Sequence, residues 1–367
     1  MTAGENIKKG KRSFGNRLLV FFVSILAIAG FICMFLCVIS PFISPNFWVF
    51  TSYFGLAFWF ILGFNLLILI CLIFLKAKKW ILLPLIALII AIPSFKRSYS
   101  IKQKTTEPGN IKVMTYNVCH FSDVTSDKNH NSKQDIIDII NAQNPDIVCM
   151  QESGQWNDKT AKDFAEKINC KYYAFNNVKH NGNVFFSKYP LFKDDFTDKC
   201  DANTTYVVRG VDAGGLGKFY LECVHLQSFM ITNDEIEYIN DARIYDRKSD
   251  AIGKSVFFKL KEGFEGRTAD TKDLVENLPV NGMPIVVCGD FNDTPMSYTY
   301  RRMRKAGMND AFLEVGTGLG KTYCGKLPLL RIDYFWHNDY IVPMTYERVK
   351  KKLSDHYPII MTFNVTH

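Results

Sequence analysis

Val287-Cys288-Gly289-Asp290-Phe291-Asn292 is an apolar run that closes on a carboxylate and, two residues later, an amide. Such a run reads as the end of a buried strand, which holds its last side chains rigidly at a sheet edge. Residues i and i+2 of a strand point to one side, so Asp290 and Asn292 share one space. A carboxylate placed there can engage a water or a hard cation.

Other strand-like runs end in the same manner. Thr115-Tyr116-Asn117-Val118 closes with Asn117, and Cys149-Met150-Gln151-Glu152-Ser153 with Glu152. Val224-His225-Leu226-Gln227 offers an imidazole. Arg331-Ile332-Asp333-Tyr334 and Ser354-Asp355-His356-Tyr357-Pro358 add two carboxylates and a second imidazole. Singly, each has a structural alternative. Asn117 reads equally as a turn residue, Glu152 as an exposed strand terminus, and His225 as a satisfied half-buried histidine. Asp333 could pair with Arg331, and Asp355 could form an Asx turn. Taken together, oxygen ligands from Glu152 and an Asp suit Mg²⁺ or Mn²⁺ rather than zinc. No C-x-x-C pair suggests zinc either.

Around these ends, β-rich runs alternate with amphipathic helices, the pattern of an α/β domain. Strands are expected at Lys112–Val118, Ile147–Gln151, Val184–Ser187, Thr205–Val211, Phe219–Val224, Ile285–Cys288, Asp333–Trp336 and Ile359–Phe363. Helices are expected at Ser132–Ala142, Asp158–Ile168 and Ser297–Lys305, and at Asp234–Leu260 with an interruption at Gly253.

The order of these motifs resembles the endonuclease/exonuclease/phosphatase superfamily, the group of DNase I, exonuclease III and the sphingomyelinases. The resemblance covers roughly residues 111 to 365, and the five segments in this order are far more specific than any one of them. It implies a four-layer α/β sandwich, two packed mixed sheets flanked by helices, with the site at one edge. It also implies roles: Glu152 as principal metal ligand with Asn117 beside it, and Asp355 as a second ligand or support. Asp290 would orient or deprotonate the attacking water, helped by Asn292. His356, held by Asp333, would contact the scissile phosphate, and His225 would protonate the leaving oxygen or bind a phosphate oxygen. Two departures weigh against DNA repair. His225-Leu226-Gln227 stands where abasic-site endonucleases carry a Tyr-x-Pro-Asn stretch, and Cys119 stands where many repair relatives have Asp or Asn.

The rest of the 367-residue chain is of a different kind. Leu18–Ile43 and Phe47–Leu75 are uncharged, and each exceeds the roughly 20 residues that span a bilayer. Trp80–Phe95 is a shorter, marginal third span. We therefore expect two or three transmembrane helices in residues 1–97, a linker over 98–110 and a catalytic domain over 111–367. A cleaved signal peptide fits poorly, because the first apolar stretch is too long and a second follows. Lys8, Lys9, Lys11, Arg12 and Arg17 precede the first span, and Lys76, Lys78 and Lys79 separate the second and third. Both clusters can be cytoplasmic together, and a third span then delivers the catalytic part to the outer side of the inner (plasma) membrane. Lys96, Arg97, Lys102 and Lys104 pull the other way, as would a re-entrant Trp80–Phe95.

Residues 1–107 hold 12 Lys or Arg against 2 Glu, a balance of +10 within the chain's net +8. The remainder therefore stands at −2 and lacks the basic footprint of nucleic-acid binding. A local patch at Arg301, Arg302, Arg304 and Lys305 reads more simply as a solvated helix face. Cysteine does not settle the compartment: Cys170 and Cys200 could pair under oxidising conditions, but no spacing demands it. The expected activity is metal-dependent hydrolysis of a phosphodiester or phosphomonoester. The substrate would be a lipid head group or small phosphoester or, alternatively, extracytoplasmic DNA or RNA. A non-catalytic binding module is least favoured, since no expected catalytic group is missing. The bilayer is the expected partner through the N-terminal helices, and nothing points to a protein partner.

Overall fold

The computed structural model describes residues 14–101, 107–122, 132–177, 182–200, 205–232, 235, 247–279, 282–325 and 329–366. Lys8, Lys9, Lys11, Arg12, Lys102 and Lys104 lie outside them, as does Asp234, where a helix was expected to begin.

Among the described residues, twelve strands form two six-stranded sheets. In chain order they are β1 (Ile111–Asn117), β2 (Ile147–Gln151), β3 (Tyr172–Asn176), β4 (Asn183–Ser187), β5 (Leu191–Phe192) and β6 (Tyr206–Asp212). The rest are β7 (Lys218–His225), β8 (Ile285–Asp290), β9 (Asn309–Asp310), β10 (Asp333–His337), β11 (Ile341–Arg348) and β12 (Ile359–Val365). The first sheet runs β11-β12-β1-β2-β4-β3 and the second β5-β6-β7-β8-β10-β9. Each has one central parallel pair, β1 with β2 and β7 with β8, among antiparallel neighbours.

The central strands are apolar throughout because both of their faces are covered. Ile147 and Cys149 of β2 enter the core between the sheets, with Phe185, Leu221, Val286 and Phe335. Val148 and Met150 of the same strand face helices Lys133–Gln143 and Asp158–Lys167. On the outer side of the second sheet, Val287 and Trp336 meet Leu274, Tyr300 and Met303 from helices Arg247–Glu276 and Tyr298–Lys305. The result is helix, sheet, sheet, helix: the four-layer sandwich expected.

The eight expected strands are all present, and among the described residues four more occur, β3, β5, β9 and β11, all of them edge strands. β5 and β9 have two residues each, too short for a periodic signal. β11 carries Pro343 at a register shift against β12, a place where an edge strand tolerates proline. Two features of the expected helix over Asp234–Leu260 are corrected, the interruption at Gly253 and the end at Leu260: among the described residues the helix runs unbroken from Arg247 through Gly253 to Glu276. Its later glycines serve close packing. A Cβ on Gly263 would sit 2.6 Å from the ring of Phe229, so the loop after β7 lies directly on the helix. Cys170 and Cys200 are free thiols buried in separate clusters. The basic run on Tyr298–Lys305 is partly engaged within the chain. Arg301 lies 4.1 Å over the Phe42 ring, and Arg304 donates to the Met308 carbonyl at 2.9 Å.

The N-terminal region forms α1 (Phe14–Ile39), α2 (Pro45–Trp48), α3 (Phe50–Leu56), α4 (Phe58–Phe74), α5 (Lys78–Ile90) and α6 (Ile92–Ser98). Helices α1, α4 and α5 pack pairwise against one another. Among the described residues, only Phe14–Phe42 is by itself long and apolar enough to cross a bilayer. The expected span Phe47–Leu75 is broken: α3 and α4 meet at 72° around Ala57, and α5 and α6 at 40°. Three spans result if each bent pair counts as one. One end of this bundle packs through Met34, Cys37, Phe58, Ala87 and Ala91 onto Met296 of the sandwich. Ser98 and Ser100 are buried in that junction, and Ser100 bridges Gly318, so the first residues of the expected linker are packed structure.

Candidate active site

The parallel pairing of β7 with β8 sets His225 opposite Asp290, and the antiparallel pairing of β8 with β10 sets Asp333 opposite the same residue. His225, Asp290 and Asp333 thus form one rung across three strands. Gly289 makes the approach possible: with φ +138° it lies where a Cβ would come within 2.0 Å of the Val224 carbonyl oxygen. From the first sheet, Asn117 ends β1, and Glu152 follows β2 with a left-handed φ of +50° that turns its carboxylate into the site. Asn292 is left-handed as well, at φ +51°, a conformation that Asn tolerates better than most residues.

Hydrogen bonds tie these groups together. Asn117 Nδ2 donates to Glu152 Oε1 at 3.0 Å and to Asp290 Oδ2 at 2.9 Å, while Asn117 Oδ1 accepts the Cys119 N–H at 3.0 Å. The turn reading of Asn117 is therefore also true, but of the other end of its amide. The Asn292 N–H donates to Asp290 Oδ1 at 2.8 Å, and Asn292 Nδ2 donates to the Leu226 carbonyl at 3.0 Å. His356 Nδ1 and Asp333 Oδ2 are 2.8 Å apart, and His356 Nε2 lies 3.6 Å from Asp290 Oδ2. Asp333 does not pair with Arg331, which binds Asp310 at 2.8 Å. Asp355 lines the same cavity and accepts from Ser354 Oγ at 3.2 Å, but its carboxylate stands outside the two tight clusters described next.

Two sets of acid and imidazole groups could each hold a cation, Glu152 with His225 and Asp290, and Asp290 with Asp333 and His356. Asp290 belongs to both. His225 is buried, and its Nε2 has no hydrogen-bond partner among the described residues. It lies 3.4 Å from Glu152 Oε1 and 3.9 Å from Asp290 Oδ2. A buried orphan of this sort marks a place where a further polar group is wanted. Burial pushes the Asp290 carboxyl above its usual range, against the pull of the His356 and His225 imidazoles. Burial alone would depress His356, yet the Asp333 and Asp290 carboxylates override it and hold the imidazole well above its usual range. The site is therefore a buried, charge-coupled cluster open to a cavity on one side.

Sequence reasoning missed three neighbours. His120 Nε2 lies 3.8 Å from Glu152 Oε2, on a turn in which Cys119, His120 and Phe121 are all left-handed. Tyr323 sets its ring 5.4 Å from that of His356. Buried Asp293, the next residue after Asn292, holds Arg267 Nε at 3.3 Å. Only Asp293 had a signal, its place in the Asp290–Asp293 run.

The model of the endonuclease/exonuclease/phosphatase family matches residues 114–356, and that of a domain of unknown function matches residues 16–98. An uncharacterized Escherichia coli protein, YbhP, is 22% identical over 278 residues, 69% of this chain and 96% of its own length. Among solved structures, the human Nocturnin catalytic domain with bound sulfate superposes with a TM-score of 0.50 at 19% identity, covering 71% of this chain and 96% of that one. A 3'-5' exonuclease from Neisseria meningitidis gives 0.47 at 17% identity, covering 69% of this chain and 100% of that one. At 19% identity the likeness to the Nocturnin domain speaks for the fold alone. The family match runs from β1 to His356 and takes in every one of the expected site residues, and the chain belongs to the endonuclease/exonuclease/phosphatase family.

Proposed function

We propose that the chain is a membrane-anchored, divalent-metal-dependent phosphoester hydrolase. The observation that carries this reading is the rung His225–Asp290–Asp333, closed from the other sheet by Glu152, with His225 Nε2 making no hydrogen bond among the described residues though only 3.4 Å from Glu152 Oε1. Oxygen donors facing an orphaned imidazole suit Mg²⁺ or Mn²⁺ and a phosphate oxygen together. Glu152 would hold the cation, with Asn117 beside it and Asp355 in support. A divalent cation bound there would offset charge building on the phosphate oxygens.

The chain's own groups supply the remainder. Asp290, fixed by the Asn292 N–H and by Asn117 Nδ2, would orient the attacking water and take its proton. Its elevated carboxyl suits a base that must also release that proton. His356, aligned by Asp333, would donate to a phosphate oxygen, much as an oriented imidazole does in other hydrolases. His225 would meet the leaving oxygen or a second phosphate oxygen.

The family would place the chemistry at residues 111–367, with residues 1–97 as the anchor. Lys76, Lys78 and Lys79 sit at the end of the bundle away from Met296, which under the positive-inside rule supports an outer-face sandwich, against the pull of Lys96 and Arg97 at the other end. With a balance of −2 in residues 108–367, no observation favours nucleic acid over a smaller phosphoester. The decisive experiment is Mg²⁺-dependent hydrolysis of p-nitrophenyl methyl phosphate by the detergent-solubilised chain. Asp290→Ala and His356→Ala should each lower kcat by about 10²–10³-fold, the scale of removing one electrostatic group. Unchanged rates in either variant would sink the site assignment. A reporter fused after His367 that is active only in the cytoplasm would overturn the outward orientation.

A further inference from the structure

One wall of the catalytic cavity comes from the membrane region. The cavity, about 240 Å³, is lined by the polar groups Glu152, Asp290, Asn292 and His356. The apolar residues Leu56, Met230, Ile231, Leu260 and Leu330 line it as well. Leu56 is the last residue of α3, at the 72° break before α4. Among the described residues, no Lys or Arg lines this cavity. A polyanion would find no cation there for its flanking phosphates, whereas a single phosphate joined to an apolar chain matches both kinds of lining.

The surroundings of the apolar lining match the same occupant. Helix α3 is held against helix Arg247–Glu276, one turn before Leu260, by Tyr53. Its ring stacks on Phe257 at 4.9 Å, and its hydroxyl donates to the Phe257 carbonyl at 2.8 Å. Phe50 joins the cluster with its ring 6.1 Å from that of Phe257. Phe50, Phe258 and Met230 all remain exposed, at 51%, 56% and 64%. Exposed aromatic and apolar side chains of this kind belong at the level of a bilayer's head groups.

We infer that the substrate is the phosphoester of an amphiphile, a lipid-like molecule. Its phosphate would lie at Asp290 and His356, and its apolar chain along Leu56, Leu260 and Met230. This inference rests on the hydrolase reading and deepens it. In the reaction, the water oxygen bonds to phosphorus, one ester P–O bond breaks, and the released oxygen takes a proton. No further reactant is required. Leu56 then contributes to specificity: a side chain of the anchor lines the binding cavity, so that anchor and catalytic site read the substrate jointly.

The test varies the chain alone. p-Nitrophenyl methyl, hexyl and dodecyl phosphates share one leaving group and are assayed on the full-length protein below their micellar concentrations, with Mg²⁺. The dodecyl ester should exceed the methyl ester in kcat/KM by about tenfold or more, the effect of burying about two methylenes. Leu56→Asp should lower the dodecyl-to-methyl ratio by about tenfold. Met230→Asp, on an exposed loop position where the core is not disturbed, should lower it in the same direction. A flat chain-length series in the intact protein overturns the inference, as does an unchanged ratio in Met230→Asp. Cleavage of a single-stranded oligonucleotide with higher kcat/KM than the dodecyl ester overturns it too. Failure of the intact protein to hydrolyse even the methyl ester would instead remove the hydrolase reading, and the inference with it.

Discussion

Asn117 of the first sheet reaches Asp290 of the second through a single hydrogen bond, Nδ2 to Oδ2 at 2.9 Å, and the same nitrogen bonds Glu152 at 3.0 Å. One amide thus aligns two carboxylates that arrive from different sheets and would otherwise repel. Removing it should loosen both. Asn117→Ala is expected to lower kcat on p-nitrophenyl methyl phosphate by about 10²-fold, in line with the loss of one preorganised donor. Asn117→Asp should do worse, because it sets a third carboxylate against the other two. Full activity in Asn117→Asp would show that the donated bond is irrelevant.

Much of this site was legible in the sequence, because each functional group sits at the end of an apolar run and local patterning reveals such ends. Their neighbourhood was not. That His225 and Asp333 flank Asp290 on one rung depends on the β7-β8-β10 pairing, which joins residues far apart in the chain. The strands that escaped notice were all edge strands, such as β11 with Pro343 and the two-residue β5 and β9. The glycines in helix Arg247–Glu276 suggested a break at Gly253, yet their neighbours show close packing against the loop after β7. Nothing local announced that Leu56, deep in an apolar stretch, would line the catalytic cavity.

Metal binding should report on Glu152 without recourse to activity. A cation that binds the folded chain raises its melting temperature by mass action. Titration of the intact protein with Mg²⁺ should give a saturable rise in Tm, reversed by a chelator. In Glu152→Gln the half-saturating Mg²⁺ concentration should rise by about 10–100-fold or more, since even outer partners of a metal matter on that scale. An identical titration curve in the variant would remove Glu152 from the metal site.

Glu222 makes a prediction about pH. It lies fully buried in β7, and neither carboxylate oxygen has a hydrogen-bond partner among the described residues. Burial, with the Asp273 charge added, pushes its carboxyl well above the usual range. A carboxyl raised on folding gives stability that is fully present below its unfolded pKa, roughly 4.3, and is lost as pH rises through the folded value. Glu222→Gln removes that dependence. The variant should match the wild-type melting temperature near pH 4 and exceed it by a few degrees at neutral pH, as thermal unfolding across this range would reveal. A variant less stable than wild type at neutral pH would mean that the ionised form has a partner.

Arg331 couples the two regions of the chain. Its Nη1 meets Asp310 Oδ2 at 2.8 Å and its Nη2 donates to the Arg97 carbonyl, at the end of the N-terminal helical region, at 2.9 Å. Both charged side chains are almost wholly buried, and the guanidinium lies 4.6 Å over the Phe312 ring. Breaking such a pair by removing one member strands the other charge in a low dielectric, at a cost of about 3–5 kcal/mol. Arg331→Ala should therefore destabilise the fold by about that much, and it should raise protease cleavage in the 98–110 segment as the junction loosens. Arg331→Lys should recover little, since an ammonium cannot reproduce the planar fork that spans Asp310 and Arg97. The double change Arg331→Met with Asp310→Leu removes both charges and should be more stable than Arg331→Ala alone. If the double variant is no better than the single, the cost lies in packing against Phe312 and Tyr334 and not in an unpaired Asp310.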